Sequence, residues 1–201
     1  MLKFNSIKNE SVASEYKEKG SKFIGKLKVV TSPEEAMEFV NKNSEEHPQA
    51  VHTCFAYKVG LEGEEKYRYS DDGEPSNSAG APIFGQINSF DLTNIVIVVI
   101  RYYGGVNLGV GGLINAYRTA AKEAIELAEV TSKLVTHKFK LDFDYSDMAI
   151  LMSEIKKENF TILEQHFEQD CYLIVDCNEE EQNKLDSLSA RYKTLKISQI
   201  N

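Results

Sequence analysis

An unbroken run of β-branched residues, Ile95–Ile100, lies near the middle of the chain and limits the folds that it can adopt. Such a run is typical of a central β-strand covered on both faces. The three residues Arg101-Tyr102-Tyr103 follow it directly, and five glycines then occur within residues 104–112. From Leu113 onward, small residues recur at helical spacing. The sequence therefore predicts a strand, a glycine-rich loop and a helix that packs closely on the strand.

Composition indicates a folded protein of the cytoplasm. Of 201 residues, 42% are hydrophobic and 10% are aromatic, which is more than disordered chains carry. The longest apolar run is far shorter than the ~20 residues that span a bilayer, and the first twenty residues lack the apolar stretch of a signal peptide. Cys54, Cys171 and Cys177 are odd in number and lack C-x-x-C spacing, so neither a disulfide framework nor a structural zinc site is expected.

The net charge of −8 argues against a protein that coats nucleic acid through bulk electrostatics. We therefore do not expect DNA as a partner, and the short apolar runs predict no membrane partner. No heptad or apolar stripe in the sequence indicates an oligomer interface.

Residues 131–201 predict a small α+β domain. Apolar and polar residues alternate where strands are expected, and the apolar residues at 148, 151, 152 and 155 share one helix face. Asn178, followed by Glu181, predicts a further helix start. The resulting order β-α-β-β-α-β is that of the ferredoxin-like arrangement. The predicted strands are 135–143, 160–167, 171–177 and 194–199.

Residues 1–130 predict a separate first domain. An extended pair of strands is expected around Lys19-Gly20-Ser21, and Ser32-Pro33 predicts the start of a helix. A second hairpin is expected from strands at 51–59 and 65–69. The long segment between residues 70 and 94 holds most of the remaining turn residues. The boundary between the domains is expected near residues 129–133.

The glycine-rich segment could expose backbone N–H groups to an anion at the positive end of the following helix. A tight turn that lets the helix approach the strand explains it equally well. Val110 stands where a Walker-A loop needs lysine, and Ile114 stands where the dinucleotide fingerprint needs Gly or Ala. Binding of ATP or NAD is therefore not expected.

Three carboxylates, Asp71, Asp72 and Glu74, occur within four residues. They could line a site and hold magnesium through oxygen ligands, although a solvated acidic turn is the more common explanation. His52 and Cys54 alternate on one strand, so a catalytic Cys–His pair is geometrically possible; such residues more often line a core. We expect no cofactor, with magnesium as the one alternative.

One basic stripe is present. Lys22, Lys26 and Lys28 share one face of a predicted strand, opposite Phe23 and Leu27. The stripe could contact phosphates, or it could simply prevent unwanted pairing at the edge of a sheet. The aromatic RNP1 stretch of an RRM domain is missing from the sequence.

Three separate segments together resemble the YigZ/IMPACT family. They are HTCFAY at 52–57, SDDGEP at 70–75 with AGAP at 79–82, and RYYGGVNLG at 101–109. The resemblance implies a first domain like domain 2 of ribosomal protein S5, and a ferredoxin-like second domain like domain V of the translocase elongation factor. It also implies a link to translation, because the eukaryotic relative is a translational regulator that competes for a partner protein in the amino-acid-starvation kinase pathway. Bacterial members have no established activity.

The leading hypothesis is a non-enzymatic, translation-linked regulator that binds RNA, the ribosome or a ribosome-associated protein. In it, Arg101 contacts phosphate, the tyrosines stack and the glycine amides bind an anion. One alternative is an enzyme for a small anionic or phosphorylated substrate, with His52 as acid or base; another is a pure protein-interaction module. The candidate binding residues are Arg101, Tyr102, Tyr103, Gly104, Gly105, Asn107, Gly109, Gly111, Gly112, Lys22, Lys26 and Lys28.

Overall fold

The computed structural model describes residues 2–10, 12–61, 63–168 and 170–200. Backbone contacts divide the chain into two compact units. One contains residues 4–133, and the other contains residues 134–200 together with residues 2–3. Within the described ranges, none of the helices combines the length and the apolar character needed to cross a membrane.

Ten elements precede residue 135 in the described part of the chain. In chain order they are β1 (Lys3–Ile7), β2 (Ala13–Glu18), β3 (Ser21–Val29), α1 (Pro33–Glu46), β4 (His52–Val59), β5 (Lys66–Ser70), α2 (Gly80–Ser89), β6 (Ile95–Tyr102), α3 (Gly109–Ala128) and β7 (Val130–Leu134). β1 and β7 form a two-stranded sheet, and the other strands form a five-stranded sheet in the order β2-β3-β6-β4-β5.

The apolar run forms the central strand of the five-stranded sheet, as predicted. β6 pairs antiparallel with β3 and with β4. Ile95, Ile97 and Val99 pack in a core with residues of α2 and α3, while Val96, Val98 and Ile100 pack in a second core with residues of α1. All six are fully buried. Because each such side chain contributes about 1.5–3 kcal/mol on burial, this strand anchors both layers of helices.

The first helix and both hairpins agree with the sequence prediction. Ser32 caps α1, since its side chain accepts a hydrogen bond from the Glu35 N–H, and Pro33 occupies the first helical turn. The strand pairs β2–β3 and β4–β5 are both antiparallel.

Small residues let α3 lie close to the sheet, which confirms the predicted packing. The helix buries Ala116, Ala120, Ala121 and Ala124. A Cβ added at Gly25 of β3 would lie 2.6 Å from the carbonyl oxygen of Ala120, so only glycine fits there. The Ser14 hydroxyl donates to the same oxygen over 2.7 Å.

One helix was not predicted, and one predicted boundary was wrong. The segment 70–94 contains α2, which occupies Gly80–Ser89 and buries Ile83 and Ile87. α3 begins at Gly109 rather than at Leu113, so the last glycines of segment 104–112 form its first turn.

The second unit has the predicted order of elements. They are β8 (His137–Phe143), a short 3-10 turn (Tyr145–Asp147), α4 (Met148–Lys157), β9 (Thr161–Phe167), β10 (Cys171–Cys177), α5 (Glu179–Arg191) and β11 (Lys196–Ile200). The strands form an antiparallel sheet in the order β11-β8-β10-β9. Asn178 and Glu181 form the capping box of α5. Cys171 and Cys177 are buried in the core of this unit.

Candidate functional site

Arg101 lies near the end of the central strand β6, in register with Phe23 of β3 and His52 of β4. Residues in register on antiparallel strands share one face of the sheet. This is the face that α2 and α3 cover, because Phe23 belongs to their core. The strand register therefore brings His52 and Arg101 together.

A buried ion pair joins Arg101 to the acidic segment. Arg101 Nη1 donates to Glu74 Oε1 over 2.5 Å, and the Tyr117 hydroxyl of α3 donates to the same oxygen over 2.8 Å. The side chains of Arg101 and Glu74 are only 7% and 3% exposed. The sequence predicted that Arg101 contacts phosphate, whereas in the structure its Nη1 is paired with a carboxylate. Its Nε is buried and has no hydrogen-bond partner among the described residues.

His52 is oriented by the same segment. Its Nδ1 lies 2.6 Å from the carbonyl oxygen of Asp72, and because a carbonyl can only accept, Nδ1 carries the hydrogen. The other ring nitrogen, Nε2, lies 3.9 Å from Glu74 Oε2. His52, Glu74 and Arg101 thus form one polar cluster, with Nε2 as the ring nitrogen that remains available.

Cys54 is not a nucleophile partner for His52. It is fully buried in the core, and its thiol donates to the carbonyl oxygen of Asp71 over 3.0 Å. Burial raises the pKa of this thiol well above its ordinary value. Burial likewise raises the pKa of the Tyr117 hydroxyl. Both groups therefore stay protonated, and the catalytic Cys–His alternative does not agree with the structure.

The three carboxylates of the acidic segment serve different partners. Asp71 accepts hydrogen bonds from the backbone N–H groups of Asn77, Ala79 and Gly80, which fixes the start of α2. Asp72 Oδ2 accepts from the Thr53 N–H over 2.6 Å.

Glu74 forms the ion pair with Arg101. The three carboxylates therefore bind different partners and do not point to one shared position, as magnesium ligands would. Across the described ranges, no group of three or more His, Cys, Asp or Glu residues is placed to hold a metal ion.

The glycine-rich segment has two parts with different roles. Gly104 lies against the β2–β3 turn, where its N–H donates to the Ser21 hydroxyl over 3.1 Å. Gly109 and Gly111 have open space where a side chain would stand. Leu108, at the N-cap of α3, provides no side-chain cap, so the helix begins without a side-chain acceptor for its first N–H groups.

A cleft of about 540 Å³ opens above the polar cluster. His52, Glu74 and Arg101 contribute its charged and polar lining, and the start of α3 forms one wall. Tyr103 is 48% exposed, and Val51 and Val110 are exposed as well. Each of the three segments that resemble the YigZ/IMPACT family contributes residues to the cleft. It is lined by Val51, His52, Glu74, Pro75, Arg101, Tyr103, Asn107, Leu108, Gly109, Val110 and Leu113.

The lysine stripe and Tyr102 lie on the other face of the sheet. Lys22 is in register with Tyr102, and its ammonium lies 5.0 Å from the centre of that ring. Glutamates lie beside two of the lysines, with Lys22 Nζ 3.9 Å from Glu15 and Lys26 Nζ 3.4 Å from Glu46. Lys28, in register with Val96, lies on the same face of β3 and is itself exposed. The lysine stripe and Arg101, both among the candidate binding residues, therefore lie on opposite faces of the sheet.

Sequence reasoning missed the role of Tyr117. The residue was placed on the buried stripe of α3 but was not considered part of a site. The sequence signal was a tyrosine on a helix face that otherwise carries mainly alanines. A buried tyrosine hydroxyl usually forms a hydrogen bond, so its presence there indicated a polar partner nearby.

The comparisons with known proteins agree with the resemblance. A family model described as the Impact N-terminal domain matches residues 19–125. This chain belongs to the IMPACT family. An IMPACT family member of Haemophilus influenzae is 36% identical over 174 residues, which cover 86% of this chain and 84% of the relative. The IMPACT family member YvyE of Bacillus subtilis is 32% identical over 163 residues, covering 81% and 75%.

A solved structure also resembles this IMPACT family member along its whole length. It is described as a hypothetical protein, is 27% identical and covers 100% of this chain and 98% of that one, with a TM-score of 0.74. The likeness shows the same mixed α+β fold.

Proposed function

We propose that the protein is a non-enzymatic, translation-linked regulator that acts in the cytoplasm and binds a ribosome-associated protein through the cleft. One observation carries the proposal: three sequence segments that are far apart in the chain, and that carry the family resemblance, line the same open cleft. The link to translation rests on the resemblance to the IMPACT family, because the eukaryotic member of that family is a regulator of translation.

The lining of the cleft favours a protein over RNA as the partner. Arg101 is paired with Glu74, and the lysine stripe lies on the opposite face of the sheet. The cleft instead carries Val51, Tyr103 and Val110, which are all exposed. Exposed apolar and aromatic side chains around a concave site are typical of protein-binding surfaces.

The finer fold assignment belongs to the same proposal. Along the chain, the elements of the second unit follow the order β-α-β-β-α-β, and in its sheet the strands follow the order β11-β8-β10-β9. Both orders support a ferredoxin-like second domain. We assign the first unit to the family of domain 2 of ribosomal protein S5 on the strength of the sequence resemblance.

Co-sedimentation with ribosomes, prepared with and without a high-salt wash, tests the binding role. We expect the full chain to sediment with unwashed ribosomes and less with washed ones, because the wash removes associated proteins. Tyr103→Ala and Val110→Asp should each weaken binding by about tenfold or more, as expected for central interface residues. The triple change Lys22→Ala, Lys26→Ala and Lys28→Ala is the matched control on the opposite face, and it should leave binding unchanged.

The opposite pattern would refute the cleft as the binding site. If binding persists on washed ribosomes, falls steeply with salt and depends on the lysines, the partner is RNA, because phosphate contacts release counterions. If no binding is detected with either preparation, the proposed link to the ribosome is wrong.

The start of α3 supports a second candidate, an enzyme for a small anionic or phosphorylated substrate. The first N–H groups of the helix open on the cleft without a side-chain cap, and His52 Nε2 is available as an acid or base. Calorimetric titration with inorganic phosphate and with nucleotides, each with and without magnesium, tests this candidate. Absence of heat in all four titrations would remove its support.

A further inference from the structure

The edge strand β5 lies outside the cleft and is open to solvent. Among the described residues it pairs with β4 alone, and beyond that pairing no backbone-to-backbone hydrogen bond in those ranges involves residues 66–70. Four of its five residues are exposed and the fifth, Ser70, is partly exposed. An edge strand of this kind presents unpaired N–H and C=O groups in a row.

One side of β5 carries a row of aromatic rings. Tyr67 is 61% exposed and Tyr69 is 40% exposed. Both stack on Phe84 of α2, with ring centres 4.9 Å and 5.7 Å from that of Phe84. Because the helix fixes Phe84, the two tyrosines are held in place before any partner arrives. This row offers apolar contact area at low cost in side-chain entropy.

The other side of β5 carries two cations, Lys66 and Arg68, that form no ion pair among the described residues, although the charge of Lys66 helps to lower the pKa of Glu34. The guanidinium of Arg68 lies 5.8 Å from the centre of the Phe55 ring. No ion pair between described residues includes Lys66 or Arg68, although the protein has 31 acidic residues against 23 basic ones. At the opposite edge of the sheet, by contrast, Lys17 of β2 pairs with Glu15 over 2.9 Å.

We propose that β5 binds an extended, acidic segment of a partner protein, which adds to the sheet as a sixth strand. A peptide offers the alternating carbonyl and N–H groups that an open strand edge needs. Side chains on one side of the added strand contact Tyr67 and Tyr69, while carboxylates on the other side pair with Lys66 and Arg68. Single-stranded RNA could stack on the tyrosines, but it has no pattern of groups that matches the strand edge.

This surface shares no residue with the cleft, so the two proposals can be tested separately. The probe is a short fluorescent peptide of alternating Glu and Val, titrated into the full chain. We expect binding that weakens as salt increases, because exposed ion pairs are screened. Binding should also slow the hydrogen exchange of backbone amides within residues 66–70.

The combined change Lys66→Glu and Arg68→Glu should weaken binding of this peptide by about tenfold or more, since two charge pairs are lost and like charges then face each other. Tyr67→Ala should weaken it as well. The matched control is Lys17→Glu on β2, the opposite edge of the same sheet, which should leave affinity unchanged. Circular dichroism establishes that each variant is folded.

Three results would overturn the proposal. The first is equal affinity for a peptide of alternating Lys and Val, because the cations would then not select the partner. The second is binding of oligouridine that the Lys66/Arg68 and Tyr67 variants abolish, which would identify the edge as an RNA site. The third is no slowing of exchange at residues 66–70 when the acidic peptide is present at saturation or at about 1 mM.

Discussion

Arg101 Nη1 and Glu74 Oε1 lie 2.5 Å apart beneath the cleft, with both side chains buried. The pair joins the central strand to the acidic segment, and Tyr117 connects α3 to the same oxygen. A charge that is buried without its partner is costly, so the pair also fixes the path of the segment 71–79. The pair therefore helps to set the geometry of the cleft, together with the hydrogen bonds that Asp71 and Asp72 accept.

Replacing Glu74 with Ala should destabilise the protein by about 3–5 kcal/mol, because it leaves the Arg101 guanidinium buried without its counter-charge. Tyr117→Phe should cost about 1.5–3 kcal/mol, since it removes one hydrogen bond to a charged carboxylate. Urea unfolding followed by circular dichroism measures both values.

The surface pair of Lys122 and Glu126 provides the control, because both of its side chains are 53% exposed. Glu126→Ala should change stability by no more than about 0.5 kcal/mol. A cost for Glu74→Ala as small as that of the control would mean that the buried pair does not hold the segment.

Gly104→Ala should destabilise the protein strongly, by about 1–3 kcal/mol or more. An added Cβ would lie 1.9 Å from the carbonyl carbon of Gly20 and 2.2 Å from the Ser21 nitrogen. Both are backbone atoms of the β2–β3 turn, which cannot move aside as a flexible side chain does. Thermal unfolding checks the expected loss.

Gly111→Ala is the matched control in the same glycine-rich segment. The added Cβ meets nothing within 4 Å, and the residue lies in the first turn of α3. Its stability should be unchanged or should increase by up to about 1 kcal/mol, because alanine favours the helix over glycine. Equal effects of the two changes would contradict the close approach at Gly104.

Local patterns in the sequence were sufficient to predict most elements of both units. The β-branched run predicted the central strand, and Ser32-Pro33 predicted the start of α1. The helix α2 was missed because Gly80, Pro82 and Gly85 suggested turns. Ile83 and Ile87, four residues apart and both fully buried, were the helical signal within that segment.

The candidate site was less predictable, because it depends on the register between strands. His52, Glu74 and Arg101 were each singled out, yet only the pairing of β4 with β6 places His52 opposite Arg101. The same register places Lys22 opposite Tyr102 on the other face. Since a shift of one residue exchanges the two faces of a strand, a list of candidate residues does not by itself define a surface.

The three cysteines should be unreactive in the folded protein. Cys54, Cys171 and Cys177 are all buried, and burial raises the pKa of the Cys54 thiol and raises that of Cys177 to about 12. Thiolate is the form that reacts, so Ellman's reagent near pH ~8 should label none of the three until the protein is unfolded. In urea all three should react. Rapid labelling of one native thiol would show that its core opens locally.

His47 should make the stability of the protein sensitive to acid. It lies on the same face of the sheet as Tyr102 and Lys26. Its Nδ1 is 2.7 Å from the Tyr102 hydroxyl, and its Nε2 is 3.2 Å from Lys26 Nζ. An ammonium can only donate, so Nε2 accepts and Nδ1 donates to Tyr102. Partial burial, and then the charge of Lys26, lower the pKa of His47 below its ordinary value.

A histidine with a lowered folded-state pKa binds its proton more readily in the unfolded chain. The free energy of unfolding should therefore be highest above the unfolded-state pKa near 6.5 and should fall as the pH drops through it. Urea unfolding near pH ~7 and pH ~5 measures this loss for the parent protein and for His47→Gln. Carboxylates titrate in both proteins, so the difference between their two losses reports on position 47. The variant should lose less stability than the parent; an equal loss would mean that burial and the charge of Lys26 do not lower the pKa of His47 in the folded protein.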